Sequence, residues 1–538
     1  MQEKLALFRE TIKAYTPLGK EEADVKENLL RDLDAYQEKL FYREKEDVHL
    51  TASALLFDMT GENLLLIYHP ILKTYAWVGG HADGVVDLLS VALKEAKEET
   101  GLSRIYPLSE KIASMTCLPV PAHVKNDMPV AAHNHYNITY MLVADKTEKI
   151  KFAAREVSDA KWFSVSEMHE YVAEQKILPV YQGIIDEAQR IFSKRKEKYT
   201  LLPKKLLPWY QANKRALPWR KTKDPYAIWI SEIMLQQTRV EAVKRYYTRF
   251  MKELPDIAAL AAVSQERLNK LWEGLGYYTR ARNLKRAAEI IEQQHGGVFP
   301  REYKEISALP GIGPYTAGAV SSIAFQEKIP AVDGNVLRIL ARIMGYYIPI
   351  DENFFKNHVT NMLRAEYPTK ADLFTQSLME LGAIVCLPNG APLCKACPIQ
   401  RNCYAYRHNA QEVLPLRTPK RKRKIENRTV FLLQCEDRIA IQKRSEKGLL
   451  AGLYEFPNLP GVLSLEEILA QAEAWGAMPR RVEKIVHEKH IFTHIEWHMQ
   501  GIYIFCEDMP KEFIWVKKEK LIAEHALPSA FQMFLARL

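Results

Sequence analysis

Residues Leu309 to Asn335 read LPGIGPYTAGAVSSIAFQEKIPAVDGN. Two glycines, Gly311 and Gly313, flank one isoleucine and lead into an apolar helical run, and a lone acid, Asp333, precedes the next one, VLRILARI. A turn this bare lets backbone N–H groups approach an anion, and the helix behind it adds its positive N-terminal end. Such a grip suits a phosphate backbone and carries no sequence readout. Taken alone, Gly-x-Gly-Pro is equally a plain turn, and Asp333 is equally a simple N-cap. The rest of the chain decides between these readings.

The chain has 538 residues, a length that predicts about three to four domains. An apolar fraction of 47% and a charged fraction of 26% are those of globular chains with sizeable cores. The N-terminus, MQEKLALFRE, is too polar for a signal peptide, and no apolar run reaches the ~18 residues of a membrane span. A cytoplasmic protein is therefore expected, nucleoid-associated if bacterial, without membrane partners, and monomeric. Lys+Arg at 75 against Asp+Glu at 66 gives +9, which suits a polyanionic partner. The pattern runs from charged helices (1 to about 45) through α/β alternation to a polar helix ending near FSKRKEKY, then helix after helix from about 201 to 408. LPLRTPKRKRKIENR, with Lys420 to Lys424 all basic, reads as a linker, with direct phosphate contact as the sharper alternative. Strands return beyond it, and KEFIWVKKEKL echoes AKWFSVSEM, so the two flanking domains are expected to share a fold.

In GGHADGVVDLLSVALKEAKEETGL, Asp87 is a plausible N-cap and Gly101 a stop, which predicts a helix over roughly 88–100. Glu95, Glu98 and Glu99 then fall at i, i+3 and i+4, continuing the face of Leu88, Val91 and Ala92. Clustered carboxylates on such a face suit Mg²⁺, which takes oxygen ligands and bridges to substrate phosphates; a solvated acidic helix is the plainer reading. The segment resembles the Nudix box, Gly-x5-Glu-x7-Arg-Glu-U-x-Glu-Glu-x-Gly-U with U an aliphatic residue. Gly80, Glu95, Glu98, Glu99, Gly101 and Leu102 match; the early Glu is Val86 and the Arg is Lys94, so the usual ion pair is lost, with Asp87 as a compensating acid. The resemblance implies Mg²⁺-dependent (or Mn²⁺-dependent) hydrolysis of a nucleoside diphosphate derivative, the metal activating water. In HNHYNITYML, a strand, His133 and His135 share a face. With His123 they raise a second metal site, against substrate contact or packing.

Further on, IWISEIMLQQTRVE surrounds Glu232 with apolar neighbours, and Ile228, Trp229 and Leu235 share its helical face. Desolvation there favours the protonated acid, the condition for general-acid work at neutral pH; a buried acid paired with an Arg is the alternative. A phosphate-gripping hairpin followed at this distance by an acid resembles the helix-hairpin-helix DNA glycosylase superfamily. LPWR, SEIMLQQTRVE, GLGYYTRARNL, LPGIGPYTAG and VDGNV resemble its MutY-type adenine DNA glycosylases, over roughly residues 201 to 538. The resemblance implies that Glu232 protonates adenine at N7 and that Asp333, helped by Tyr315 and Asn335, stabilises the sugar cation. Gln237 and Tyr277 would wedge the duplex as adenine flips out, Thr238 and Leu275 would contact the opposing lesion, and Gly311 and Gly313 would hold phosphate. The related lyases carry a nucleophilic Lys where Tyr315 stands, so base release without strand cleavage is expected.

Seven cysteines without a secretory signal argue against a disulfide framework. Cys386, Cys394, Cys397 and Cys403 fall within eighteen residues and hold only one Cys-x2-Cys, which favours a cluster over Zn²⁺. The spacing resembles the [4Fe-4S] loop of the same glycosylases, with the first gap one residue longer. That loop, LPNGAPL, lacks basic residues, leaving Lys395 and Arg401 as substitutes toward DNA. Cys117, Cys435 and Cys506 read as small core residues. EKGLLAGLYEFPN and HIFTHIEWHM resemble the family's lesion-reading C-terminal domain, a degenerate Nudix fold. Phe492, Thr493 and His494 match its Phe-Ser-His loop, and no acidic run for a metal is present there.

The expected architecture is therefore multidomain. It has an α/β Nudix fold over 1–197, an all-α helix-hairpin-helix glycosylase with a [4Fe-4S] loop over 198–410, a basic linker over 411–428, and an α+β Nudix-like domain over 429–538. The expected partner is double-stranded DNA holding A:8-oxoguanine or A:G mispairs. Three rivals stand beside it: an endonuclease-III-like lyase, an idle damage binder, and a Nudix hydrolase merely targeted to DNA by the rest.

Overall fold

The computed structural model describes residues 2–43, 47–70, 73–125, 128–152, 157–419, 422–445 and 447–538. They fall into two compact units: Met1–Ala212, Val332–Tyr367 and Ser377–Thr418 form one, and Asn213–Ala331, Pro368–Gln376 and Pro419–Leu538 the other.

In the first unit, helices Gln2–Ala14 and Lys20–Tyr36 precede a mixed sheet. Its central strand, Val48–Phe57, is buried along its whole length, the mark of a strand covered on both faces. This strand runs parallel to His133–Ala144, with His49 opposite His135, and antiparallel to Asn63–His69 and Val78–His81. Asp159–Ser164 extends the sheet beyond Asn63–His69. One core joins Leu29 and Leu33 of the second helix, the sheet, and Leu88, Val91 and Ala92 of the acid-bearing helix. At ~1.5–3 kcal/mol for each large apolar side chain, that burial fixes the helix against the sheet.

A single helix, Leu178–Asn213, runs through the expected boundary at 197/198. Pro203 and Pro208 lie inside it, and each removes an internal hydrogen bond. The buried stripe Tyr199, Leu202, Leu206 and Tyr210 continues past both and holds the helix together. Gly334–Met344, Asn353–Ala365 and the cysteine loop complete this unit.

The second unit begins with seven helices, from Pro225–Leu235 to Pro314–Phe325. Its sheet repeats the topology of the first. Lys424–Cys435 runs parallel to Ile495–Cys506 and antiparallel to Arg438–Lys443 and Asn458–Pro460, and Ile514–Lys517 extends the sheet as Asp159–Ser164 does in the other. The echo between AKWFSVSEM and KEFIWVKKEKL is thus an echo of equivalent strands. The basic run does not stay a linker throughout, because Lys424 already opens a strand opposite Ile495; Lys420 and Arg421 lie outside the described residues. Among the scattered cysteines, Cys435 and Cys506 are buried as expected, whereas Cys117 is exposed on the outward side of Ser114–Val120.

Candidate functional site

Asp87 caps the helix Leu88–Thr100, its carboxylate accepting from the Ser90 N–H, and Gly101 ends it in left-handed backbone. Glu99 Oε2 accepts from the Gly79 N–H at 3.0 Å. A Cβ on Gly80 would sit 2.4 Å from the Glu95 carboxyl carbon, so only glycine lets the strand come this close. Val86 is core, and Asp87 serves the cap, so it does not restore the missing ion pair. Lys94 makes one within the helix instead, 3.2 Å from Glu95 and 3.2 Å from Glu98. Its hydrogen bonds to Glu98 and then Glu95 hold the ammonium above the usual lysine range. Glu95 and Glu99 thus face the two glycines of the strand Val78–His81, and Glu98 is exposed on the same helical turn.

His133 and His135 share a strand face, as expected, and the side chain of His123 lies outside the described ones. Two residues that sequence reading passed over join them: His49, from the central strand, and His81, directly after the Gly79–Gly80 pair. Burial first, and then the neighbouring imidazoles, pushes His135 down to about 3.

In the second unit, Asp224 caps the helix Pro225–Leu235 and Pro225 opens it. Every residue from Tyr226 to Met234 is buried, so Glu232, 4% exposed, sits in an apolar wall. Tyr315, the second residue of the helix that follows the hairpin, donates its hydroxyl to Glu232 Oε2 at 2.9 Å. The hairpin itself turns on Gly311, whose φ of +78° suits glycine and whose Cβ would strike Asn283 at 2.7 Å. Gly313 is extended and caps the helix, with open space around it.

Gln237 and Tyr277 both stand in left-handed backbone, at φ 58° and 49°. For non-glycine residues this costs about 1 kcal/mol each and persists only where the surroundings impose it. Arg280 imposes it. Its guanidinium donates to the carbonyls of Ile233, Met234 and Gln236 on one side and of Leu275 and Gly276 on the other. Burial lowers this arginine to about 10, and the ring of Tyr277 lies 5.6 Å away. Sequence reading missed Arg280. Thr238 hydrogen-bonds to it at 3.4 Å, and Leu275 is buried. A cleft of about 210 Å³ runs from Gln237 and Tyr277 to Asn283 and Gly311, joining the two left-handed turns to the hairpin. Arg280→Lys loses the planar fork and strands several carbonyls. It should cost about 3 kcal/mol in a denaturant melt and weaken duplex binding. A variant that melts and binds like the native protein would show that Arg280 does not hold the two turns.

Asp333 belongs to the first unit. It is the N-cap of Gly334–Met344, Oδ1 accepting from the N–H groups of Asn335 and Val336 at 2.9 and 2.8 Å. Its other oxygen accepts from the Asn335 amide at 2.6 Å. The Asn335 Oδ1 in turn accepts from Arg338, a residue 2% exposed, whose guanidinium also donates to the carbonyls of Gly382 and Cys386. The plain N-cap is thus one end of a polar chain that reaches the first clustered cysteine. Cys386, Cys394, Cys397 and Cys403 line one small cavity walled by Ile339, Ile343, Leu381 and Val385. Burial pushes the Cys397 thiol up to about 12 and raises Cys394 and Cys403. Thiols gathered in so apolar a place ionise only against a cationic centre. Lys395 and Arg401 are exposed beside them.

Phe492 packs edge-on against Trp497, with ring centroids 4.9 Å apart, and closes a tight turn by donating its N–H to the Ile495 carbonyl at 2.8 Å. Thr493 and His494 are left exposed. Thr493 Oγ1 lies 3.0 Å from the Tyr277 hydroxyl within the same unit. The structure therefore brings Glu232 to Tyr315 and Tyr277 to Thr493, while Asp333, Asn335 and the cysteines form a second group.

The family described as HhH-GPD superfamily base excision DNA repair protein matches residues 230–348, and NUDIX domains match 47–183 and 429–537. An adenine DNA glycosylase of Buchnera aphidicola is 34% identical over 304 residues, covering 56% of this chain and 84% of the relative. The Mus musculus adenine DNA glycosylase is 33% identical, covering 57% and 70%. That of Schizosaccharomyces pombe is 31% identical, covering 59% and 85%.

Proposed function

The chain belongs to the adenine DNA glycosylase family, with a Nudix domain on either side of the glycosylase segment, and from that premise we propose that the adenine it removes stands opposite 8-oxoguanine or guanine in duplex DNA. The observation that carries the chemistry is the hydrogen bond from Tyr315 to the buried Glu232. Glu232 would give its proton to adenine N7, which turns a poor leaving group into a good one as the glycosidic bond breaks. Asp333, both oxygens held by N–H donors, would stabilise the sugar cation until water adds. Tyr315 would orient the Glu232 carboxyl, and Asn335 would orient Asp333. Gln237 and Tyr277 would fill the gap left by the flipped base, with Thr238 and Leu275 beside the opposing base. The hairpin glycines, Gly311 and Gly313, would take phosphate oxygens. The Tyr277–Thr493 contact supports a role for Phe492, Thr493 and His494 in reading that opposing base.

The four cysteines fit a [4Fe-4S] cluster, which their thiolates would hold as a structural centre. Through Arg338 the loop they stabilise would keep Asn335, and so Asp333, in place. In the N-terminal domain Glu95, Glu98 and Glu99 fit Mg²⁺ or Mn²⁺, which supplies phosphate neutralisation and an acidified water to hydrolysis of a nucleoside diphosphate derivative. The test is single-turnover adenine release from duplexes holding A opposite 8-oxoguanine, G or T. Release should be fastest from the first two. Equal rates on A:T would defeat the mispair reading.

The same site predicts the strand-cleavage outcome. The native protein should leave no borohydride-trapped DNA adduct, since a phenol cannot form a Schiff base. Tyr315→Lys should trap one. Because Glu232 would pair with the new ammonium and keep it protonated, trapping should rise with pH. Strong trapping by the native protein would establish another lysine as nucleophile and overturn the monofunctional reading.

A further inference from the structure

Four imidazoles meet on one face of the N-terminal sheet. The register explains why. His49 and His135 lie directly opposite in parallel strands, His81 is opposite Thr51, two residues along from His49, and His133 is two residues before His135. A period of two puts all of these side chains on one side. Ligand nitrogens of His49, His81 and His135 lie within 4.8 Å of one another. His133 Nε2 is 3.0 Å from His135 Nε2, while its Nδ1 sits 2.9 Å from the Ala131 carbonyl. A carbonyl only accepts, so His133 carries its proton on Nδ1 and turns a lone pair toward His135.

We propose that His49, His81 and His135 bind a zinc-class divalent cation, with His133 as the residue that orients His135. Imidazole is the ligand of Zn²⁺, Cu²⁺ and Ni²⁺, not of Mg²⁺, so this site differs in kind from the carboxylates of Glu95, Glu98 and Glu99. Around a tetrahedral zinc with nitrogens about 2.0–2.1 Å away, ligand atoms stand about 3.4 Å apart. Ring rotations that bring 4.8 Å down by about 1.4 Å close the set. An apolar filling would seal this face at lower cost than four polar rings, each needing a donor and an acceptor satisfied. Protonation does not explain the cluster either, because like charges would stand with ring centroids 4.6–5.1 Å apart. Three protein ligands leave a fourth position for water or substrate. His81 follows Gly79 and Gly80, which touch Glu99 and Glu95, so that position belongs to the same domain as the acid cluster.

The inference is independent of the nucleotide-hydrolase reading. Chelator-treated full-length protein is dialysed against Co²⁺, and uptake and visible spectra are compared with those of His81→Gln, His135→Gln, His133→Gln and Glu98→Gln. Cobalt held by the cysteines of any cluster-free protein appears as a thiolate charge-transfer band, and both it and the cluster absorption are common to all. With excess Mg²⁺ present to keep Co²⁺ off the carboxylates, the native protein should take up one further equivalent without that band, displaced by one equivalent of Zn²⁺. His81→Gln and His135→Gln should lose it, His133→Gln should weaken it about 10–100-fold, and Glu98→Gln should keep it. Adenine release and melting check that each variant is folded. Equal uptake by native protein and both ligand variants overturns the proposal, and so does loss of the equivalent in Glu98→Gln. Cobalt-loaded native protein should also show paramagnetically shifted imidazole N–H resonances, and their absence refutes the site without reliance on any variant.

Discussion

Replacing Glu232 with glutamine should lower adenine release by at least ~100-fold, the usual weight of general-acid catalysis, while leaving duplex binding intact. The substitution keeps volume in a wall where Tyr226 to Met234 are all buried, so no cavity opens. An amide oxygen still accepts from the Tyr315 hydroxyl, which stands 2.9 Å from Glu232. The variant lacks only a proton that adenine can take. Alanine at the same place would confuse the result, because it empties the wall and leaves Tyr315 without this acceptor. Single-turnover kinetics on A:8-oxoguanine duplex, with binding followed separately, read the two effects apart. Near-normal release by Glu232→Gln would remove this residue from the chemistry and return it to the role of a buried structural acid.

Much of the fold was legible because local signals and tertiary packing agree. Asp87, the apolar stripe and Gly101 bounded the helix Leu88–Thr100 without reference to any neighbour. Glu232 stood out because its whole helical face is apolar. What escaped depends on groups brought from far apart. Arg280 is one basic residue among several in YTRARNLKR, and its role exists only because five carbonyls from two turns converge on its fork. His49 and His81 lie far from His133 in the chain, and only the register of three strands unites them. The strand Pro479–Ile491 was hidden by its charge: PRRVEKIVHEKHI alternates half-buried and exposed positions along an edge, where Lys and Glu discourage further pairing. The expected boundary at 197/198 falls inside the helix Leu178–Asn213, because a buried stripe outweighs the two hydrogen bonds that Pro203 and Pro208 remove.

The second large effect concerns the first domain and a hypothesis about its substrate: with Mg²⁺ it hydrolyses 8-oxo-dGTP or a similarly damaged nucleotide. The motive is the chain's own composition. A carboxylate cluster suited to nucleotide phosphates is joined to an adenine glycosylase, and a damaged guanine nucleotide is one source of the mispairs proposed above as its substrate. Destroying the nucleotide and excising the adenine it provokes are successive defences against one lesion. Glu98→Gln should therefore lower 8-oxo-dGTP hydrolysis by at least ~100-fold, because a metal-held phosphate and water are worth several kcal/mol. Its side chain is 59% exposed, so folding should change by no more than about 0.5 kcal/mol. Lys94, 3.2 Å from both Glu95 and Glu98, would then pair with Glu95 alone. Adenine release should stay at its native rate, since on the proposed mechanism the glycosylase would draw its proton from Glu232. Purified protein is assayed with Mg²⁺ on 8-oxo-dGTP, dGTP, a nucleotide sugar and a dinucleotide, native and Glu98→Gln side by side. Turnover of an undamaged sugar or dinucleotide with none of 8-oxo-dGTP ends the shared-pathway hypothesis while leaving the acid cluster as the hydrolytic site, because Glu98→Gln would still abolish that turnover.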